Sequence, residues 1–214
     1  MDMAERVKAP SDVRLQTARL TIRRMRSGDT QRMELWRPYS DPLHKLWHLP
    51  RNSSLPQDVW LLLHGTDSKT MWWTIEHRQD RCIIGALSLR EISRPVSARL
   101  GIRIGPNYVD QGYGTEALRA FIPHFFNTMG FRRMLLDVAA TNMRAVHVYE
   151  KLGFRHCGEH YRNIPREEDL SFLDQDQYRP LLGLFRRHRG LMQLLFYDMA
   201  LERVEWEQPT AGAS

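Results

Sequence analysis

Two segments of the chain hold residues whose types and spacing suit chemistry. The first is Leu100 to Ala117, LGIRIGPNYVDQGYGTEA. An alternating strand pattern runs into a glycine-containing loop, and a helical pattern opens directly after it. Gly112 and Gly114 let backbone approach a ligand closely. The first turn of the following helix offers unpaired N–H groups and the positive end of a dipole. That combination suits a phosphate or pyrophosphate. It is not a P-loop, which needs Gly-Lys-Ser/Thr, and the third glycine of the dinucleotide fingerprint is missing. The second segment is Asn142 to Phe154, NMRAVHVYEKLGF. Asn142, Ala145, Val146 and Tyr149 recur at helical spacing and share one face. On that face Asn142 reads either as a helix cap or as a ligand contact, and Tyr149 either as a core ring or as a proton donor.

The elements that must position these residues follow from periodicity. Ala18 to Met25 alternates as a first strand, and Asp29 is placed to cap a helix behind it. Two short helices are expected over residues 30–48 and another over Pro56 to His64. Strand patterns follow at Thr70 to His77, Cys82 to Ile92 and Ser97 to Gly105, joined by short polar turns as antiparallel hairpins. Gly112 to Met129 is helical with an internal Pro123 that should kink it. A buried strand at Arg132 to Ala139, a helix over Asn142 to Leu152, and strands at Phe154 to Tyr161 and Leu191 to Leu201 complete the pattern. The fold class is therefore α+β, a mixed α/β sheet. Residues 1–13 read as a polar leader, 14–205 as a single domain with an insertion over 162–190, and 206–214 as a tail. The insertion starts acidic and ends in LLGLFRRHRG. It is far longer than a hairpin needs, so it is expected at the acceptor mouth or at a dimer interface.

Composition sets outer bounds. The 214 residues carry 31 Lys plus Arg against 25 Asp plus Glu, a net charge of +6. That balance favours anionic partners without choosing among them. No basic run interleaves with aromatics in a nucleic-acid-binding pattern, so nucleic acid is not an expected partner. The apolar runs are too short for a membrane helix and the first residues do not read as a signal peptide. A cytoplasmic setting and no membrane partner are expected. Cys82 and Cys157 lack metal-ligand spacing, so no metal is expected and both read as core residues.

Taken in order, LTIRRM, CIIGALSLREI, LGIRIGPNYVDQGYGTEAL and NMRAVHVYEKLGF resemble the GNAT superfamily of acetyl-CoA-dependent N-acetyltransferases, and within it the branch of the ribosomal-protein N-terminal acetyltransferases. The resemblance implies a mostly antiparallel mixed sheet splayed at a cofactor cleft, with helices on both faces. It implies acetyl-CoA as cosubstrate and a primary amine, small or a protein N-terminus, as acceptor. By the same resemblance Ile102, Arg103 and Ile104 would hydrogen-bond pantetheine through their backbone. Gln111, Gly112, Tyr113, Gly114 and Thr115 would cradle the pyrophosphate. Asn142 would contact the pantetheine arm, and Tyr149 would protonate the leaving thiolate. Arg144 and Lys151 would meet the 3′-phosphate end or stay solvated.

This chain departs from the family pattern in three places. Val109 stands where Arg or Gln is usual, Asp110 where glycine is frequent, and Arg99 where an acidic residue is often found. Asp110 beside a pyrophosphate should repel it unless it turns away to cap the helix. A tight turn near Arg94 would set Leu87 and Ser88 opposite Leu100, which makes Glu91 the first candidate for a general base. The strands are expected to splay after about Ile104. A non-catalytic acetyl-CoA sensor on the same fold remains the alternative, and either a monomer or a homodimer is compatible.

Overall fold

The computed structural model of the chain describes residues 14–49 and 70–207. The leader over 1–13 and the expected helix at Pro56 to His64 lie outside the described residues. In chain order the elements are β1 (Leu15–Gln16), β2 (Leu20–Arg24), α1 (Asp29–Glu34), α2 (Leu43–Leu46), β3 (Met71–His77), β4 (Cys82–Ser93) and β5 (Ser97–Ile104). They continue with α3 (Tyr113–Pro123), β6 (Arg133–Ala139), α4 (Met143–Lys151), β7 (Arg155–Asn163), β8 (Phe185–His188), β9 (Leu191–Glu202) and α5 (Arg203–Glu207). The strand order is β1-β2-β3-β4-β5-β6-β9-β7, with β8 paired to β9. Only the β5–β6 pairing is parallel; the others are antiparallel.

That parallel pairing sets the site. It covers just Ser97, Ala98 and Arg99 against Arg133, Met134 and Leu135. The splay therefore opens after Arg99, not after Ile104 as the sequence suggested. β6 pairs with β9 along its whole length, while its other edge parts from β5 beyond Leu135.

The alternation of β strands gives the sheet two different faces. Trp73, Leu87, Leu100, Met134, Leu136, Met199 and Leu201 belong to a core packed under α3 and α4. Phe121, Phe125, Phe126 and Phe131 are fully buried there. The Phe125 and Phe131 rings stack at 4.6 Å, and Phe126 stacks on Trp206 of α5 at 5.4 Å. Each such ring contributes on the order of 2–3 kcal/mol by leaving water. Pro123 does not kink α3 sharply. The helix widens instead into a π turn over His124–Thr128, where Met129 N–H reaches His124 O at 2.9 Å. A proline lacks the N–H of the regular ladder, and a π turn accommodates the gap.

A second core ties the opposite face together. Leu43, Leu46 and Leu49 pack with Phe172, Leu173 and Tyr178 of the insertion and with Leu194 and Phe196 of β9. The Tyr178 hydroxyl also donates to Asp41 Oδ1 at 3.2 Å. The insertion thus folds against the α2 segment, mostly as 3₁₀ turns plus β8, which its mixed composition did not reveal. Asp29 does not cap α1. Gly28 occupies the cap position at φ 91°, and Asp29 is buried against Arg23, Thr74 and the Arg26 N–H.

Candidate active site

The cleft has one arm with an unused backbone edge. Gly105 N–H bonds Ile84 O at 2.8 Å, which fixes the antiparallel alternation between β4 and β5. The main-chain groups of Gly101 and Arg103 therefore turn towards β4, and those of Leu100, Ile102 and Ile104 turn into the cleft. Of the three β5 residues expected to meet pantetheine, Ile102 and Ile104 present their polar groups to it. Arg103 faces its partner Ala86. The register is also not the expected one: Leu100 lies opposite Leu89, and Ile102 opposite Leu87. The irregularity between Arg90 and Ser93, where Glu91 takes φ 51°, shifts the pairing and could not be read from turn length.

The loop after β5 brings the expected anion cradle alongside. A 3₁₀ turn over Pro106–Tyr108 leads to Gly112 at φ 78°, and α3 begins at Tyr113. No side chain caps this helix. Its first-turn N–H groups, on Tyr113, Gly114 and Thr115, are the ones an anion would satisfy. A Cβ on Gly114 would touch Ile104 Cγ1 at 3.6 Å and Ile102 Cδ1 at 4.0 Å, so the helix start packs directly over the free strand edge. Gln111 braces the loop: its side chain donates to Asn107 O at 2.8 Å and its carbonyl accepts from Arg19 at 3.1 Å. The Tyr113 ring is buried beneath the Arg19 guanidinium at 4.3 Å.

Asp110 is not a cap, contrary to expectation. At φ 63° its carboxylate turns across the loop and pairs with Arg144 of α4. Arg144 in turn lies over the Trp47 ring at 5.8 Å. The unfavourable charge beside the cradle is thus offset by a guanidinium that joins the loop to α4. No pattern in either segment alone could have paired these two residues.

On the other arm, Asn142 caps α4, its Oδ1 accepting from Ala145 N–H at 3.2 Å. Tyr149 lies buried on the same helix, edge-on to Phe154 at 5.8 Å. Its hydroxyl makes no hydrogen bond among the described residues. Burial, and then the charge of Asp137, push its pKa well above the usual tyrosine value. It stays protonated at neutral pH and can act as a donor.

The floor beside the closed end of the cleft is a buried charge network. Arg99 Nε donates to Glu91 at 2.8 Å, and its Nη1 reaches Asp137 at 3.2 Å and Asp198 at 3.3 Å. Arg162 pairs with Asp137 and donates to Leu49 O at 2.7 Å. It also donates to His160 Nε2 at 3.0 Å, which leaves His160 Nδ1–H to donate to Asp198 at 2.9 Å. The His160 ring thus bridges Arg162 and Asp198. Burial alone would raise the Asp137 pKa, but Arg162, Arg90 and Arg99 together hold it below the usual carboxylate range. Glu91, the expected base candidate, places its carboxylate on Arg99. The network gathers β4, β5, β6, β7 and β9, and its members are too far apart in sequence to be read as one motif.

A strap crosses the cleft mouth. Tyr39 donates its hydroxyl to Ile104 O at 2.5 Å on one arm, and Trp47 Nε1 donates to Thr141 Oγ1 at 3.1 Å on the other. His48 lies in the same strap, its pKa pushed down to about 4 by burial and then by Arg103 and His44. Tyr39 carries no sequence signal of its own; only the placement of the strap puts it on the cofactor edge.

A splayed sheet with a free strand edge, running into an uncapped helix start, is the geometry of one family. This chain belongs to the GNAT acetyltransferases. The family model, an acetyltransferase (GNAT) domain, matches residues 19–155. Among curated proteins the chain is similar to the uncharacterized N-acetyltransferase YnaD of Bacillus subtilis, 27% identical over 89 residues, 42% of this chain and 52% of that protein. It is also 29% identical over 92 residues to the spermidine N(1)-acetyltransferase of Vibrio cholerae, covering 42% of this chain and 53% of that one. The matches thus span about half the length of these relatives. Among solved structures, the Vibrio cholerae spermidine N-acetyltransferase in complex with CoA and spermine superposes with a TM-score of 0.61 at 20% identity, over 90% of this chain and 100% of that one. A putative acetyltransferase gives 0.64 at 15% identity over 94% and 90%. These likenesses establish the GNAT fold.

Proposed function

We propose that this GNAT protein transfers the acetyl group of acetyl-CoA to a primary amine. The observation that carries the reading is the free β5 edge at Ile102 and Ile104 lying directly under the uncapped start of α3. Acetyl-CoA supplies the activated acetyl thioester. Ile102 and Ile104 bond the pantetheine through their N–H and C=O groups as an added strand would, with Ile104 O given up by Tyr39. The N–H groups of Tyr113, Gly114 and Thr115 hold the pyrophosphate, with Gly112 and Gln111 shaping the turn. Asn142 spends its Oδ1 on the helix cap and has its amide nitrogen for the pantetheine arm. These contacts fix the thioester so that a neutral amine attacks its carbonyl carbon directly. The Tyr149 hydroxyl gives its proton to the departing sulfur. The Glu91 carboxylate is engaged by Arg99, and water at the open face takes the amine proton.

The acceptor is a small amine or a protein N-terminus. Similarity to the Vibrio cholerae spermidine enzyme supports the small-amine class. A second reading, an acetyl-CoA sensor without turnover, draws support from Glu91, Asp137 and Asp198 all being engaged by Arg99. Titration calorimetry with acetyl-CoA, followed by thiol release in the presence of polyamines, amino acids and short peptides, separates the two. Binding with release supports transfer, binding without release for any amine supports the sensor, and absence of binding at millimolar acetyl-CoA refutes both.

A further inference from the structure

Beyond the cleft, a hollow lies against β1, β2 and β3, lined by Gln16, Thr21, Glu76 and several arginines. It measures about 580 Å³ and is walled by α1 and the turn between β3 and β4. Its two lining or neighbouring carboxylates are already spoken for. Arg23 binds Asp29 at 2.8 and 3.0 Å and Glu76 at 2.6 and 2.9 Å. Arg78 donates to two neutral carbonyls, Thr17 O at 2.6 Å and Ala18 O at 3.5 Å. Arg14, Arg32 and Arg81 are exposed and form no ion pair among the described residues. Four guanidinium groups that form no ion pair among the described residues therefore line one concavity, with Glu76 in its wall held by Arg23. Repulsion among them is unfavourable unless an anion sits between them.

A second hollow of about 460 Å³ adjoins the first, for Arg32 and Arg81 line both. Its walls are of a different kind. Leu35 is 84% exposed at its rim. Trp36 is held by its Nε1–H on Ile83 O at 3.3 Å, and the Tyr108 hydroxyl sits 3.4 Å from Cys82 Sγ. The Asn107 side-chain amide stands beside them without a partner among the described residues. A basic hollow adjoining one that adds Leu35, Trp36, Ile83 and Tyr108 to its own arginines, Arg32, Arg37 and Arg81, matches a molecule with a phosphate chain at one end and a flat heterocycle at the other. Each hollow falls within the size range of small-ligand pockets.

We propose that the Arg14–Arg32–Arg78–Arg81 hollow and the adjoining Leu35–Trp36–Tyr108 hollow form one binding site for a nucleoside polyphosphate, separate from the acetyl-CoA cleft. The phosphates lie between the arginines, which bind such oxygens in a planar fork. The base lies against Trp36 and Leu35, with Asn107 at its edge. Arg81 holds φ 53°, so Arg81→Gly removes the guanidinium while relieving rather than adding backbone strain.

The test is titration calorimetry of the full chain at low salt with ATP, inorganic tripolyphosphate and adenosine, repeated with saturating acetyl-CoA. ATP should bind, tripolyphosphate should bind more weakly, and adenosine should not bind detectably. The double variant Arg32→Ala Arg81→Gly should lower ATP affinity about tenfold or more, as expected for two lost charge-assisted contacts, with acetyl-CoA affinity unchanged. Arg14→Ala, at the far end of the hollow, provides a second variant with the same expected direction. The proposal is overturned by any of four results: no ATP binding, ATP binding that ignores both variants, tripolyphosphate binding as tightly as ATP, or displacement of ATP by acetyl-CoA.

Discussion

Tyr39 sits where the pantetheine arm must go. Its hydroxyl bonds Ile104 O, one of the few acceptors that β5 turns into the cleft. An arm pairing along β5 must displace that bond or share its acceptor. Tyr39→Phe removes the competitor while keeping the ring that packs edge-on against His44 at 4.8 Å. A net hydrogen bond of this type is worth about 0.5–1.5 kcal/mol. If acetyl-CoA must break it, the variant should bind acetyl-CoA about 2- to 12-fold more tightly, with the gain in free energy lost from the apo protein's stability. Titration calorimetry reads the first quantity and urea unfolding of apo protein the second. Unchanged or weaker binding by Tyr39→Phe, in a variant whose apo stability has dropped, would refute the reasoning, because the bond would then not stand in the arm's path.

Tyr149→Phe should lower kcat about a hundredfold with little change in acetyl-CoA affinity, the loss expected of a general acid. Because burial raises the Tyr149 pKa, kcat in the wild type should show no fall from this group up to about pH 10, which a pH–rate profile checks. Arg144→Ala should expose the Asp110 charge to the cradle and weaken acetyl-CoA binding about two- to fivefold, an effect that Asp110→Asn restores and 1 M salt suppresses. Asp137→Asn leaves Arg162 buried without its carboxylate and should destabilise the fold by about 3–5 kcal/mol in chemical denaturation. The folded Asp137 holds its proton less readily than the unfolded chain, so its stabilisation is present at neutral pH. It fades as pH falls below the ordinary carboxylate value of about 4, and the wild-type stability profile should lose that slope in the variant.

The strands and the two motif helices were legible because their patterns are local. Alternation marked β3, β4 and β5, and the apolar stripe through Phe121 and Phe125 marked α3. Gly112 marked the turn into α3, whose φ of 78° favours glycine. What the sequence could not carry was long-range. The splay at Arg99 depends on where β6 parts from β5, two strands with a helix between them in the chain. The Glu91 irregularity left the register one to two residues from the expected pairing and spoiled a prediction built on turn length. Asp110 read as a cap because its partner, Arg144, lies on another helix. The Arg99–Asp137–Arg162–Asp198 network draws one or two residues from each of several strands, so no segment of it stands out. Tyr39 lies in a stretch with no regular periodicity, and its role comes from where α2 and the insertion anchor it.

Residue-resolved amide exchange with and without acetyl-CoA tests the central claim most directly. Exchange at Ile102, Ile104 and the 113–115 turn should slow on adding the cofactor, while Gly101 and Arg103, already bonded to β4, should change little. Protection spread evenly along β5, or confined to residues outside it, would contradict the assignment of that edge and helix start as the acetyl-CoA site.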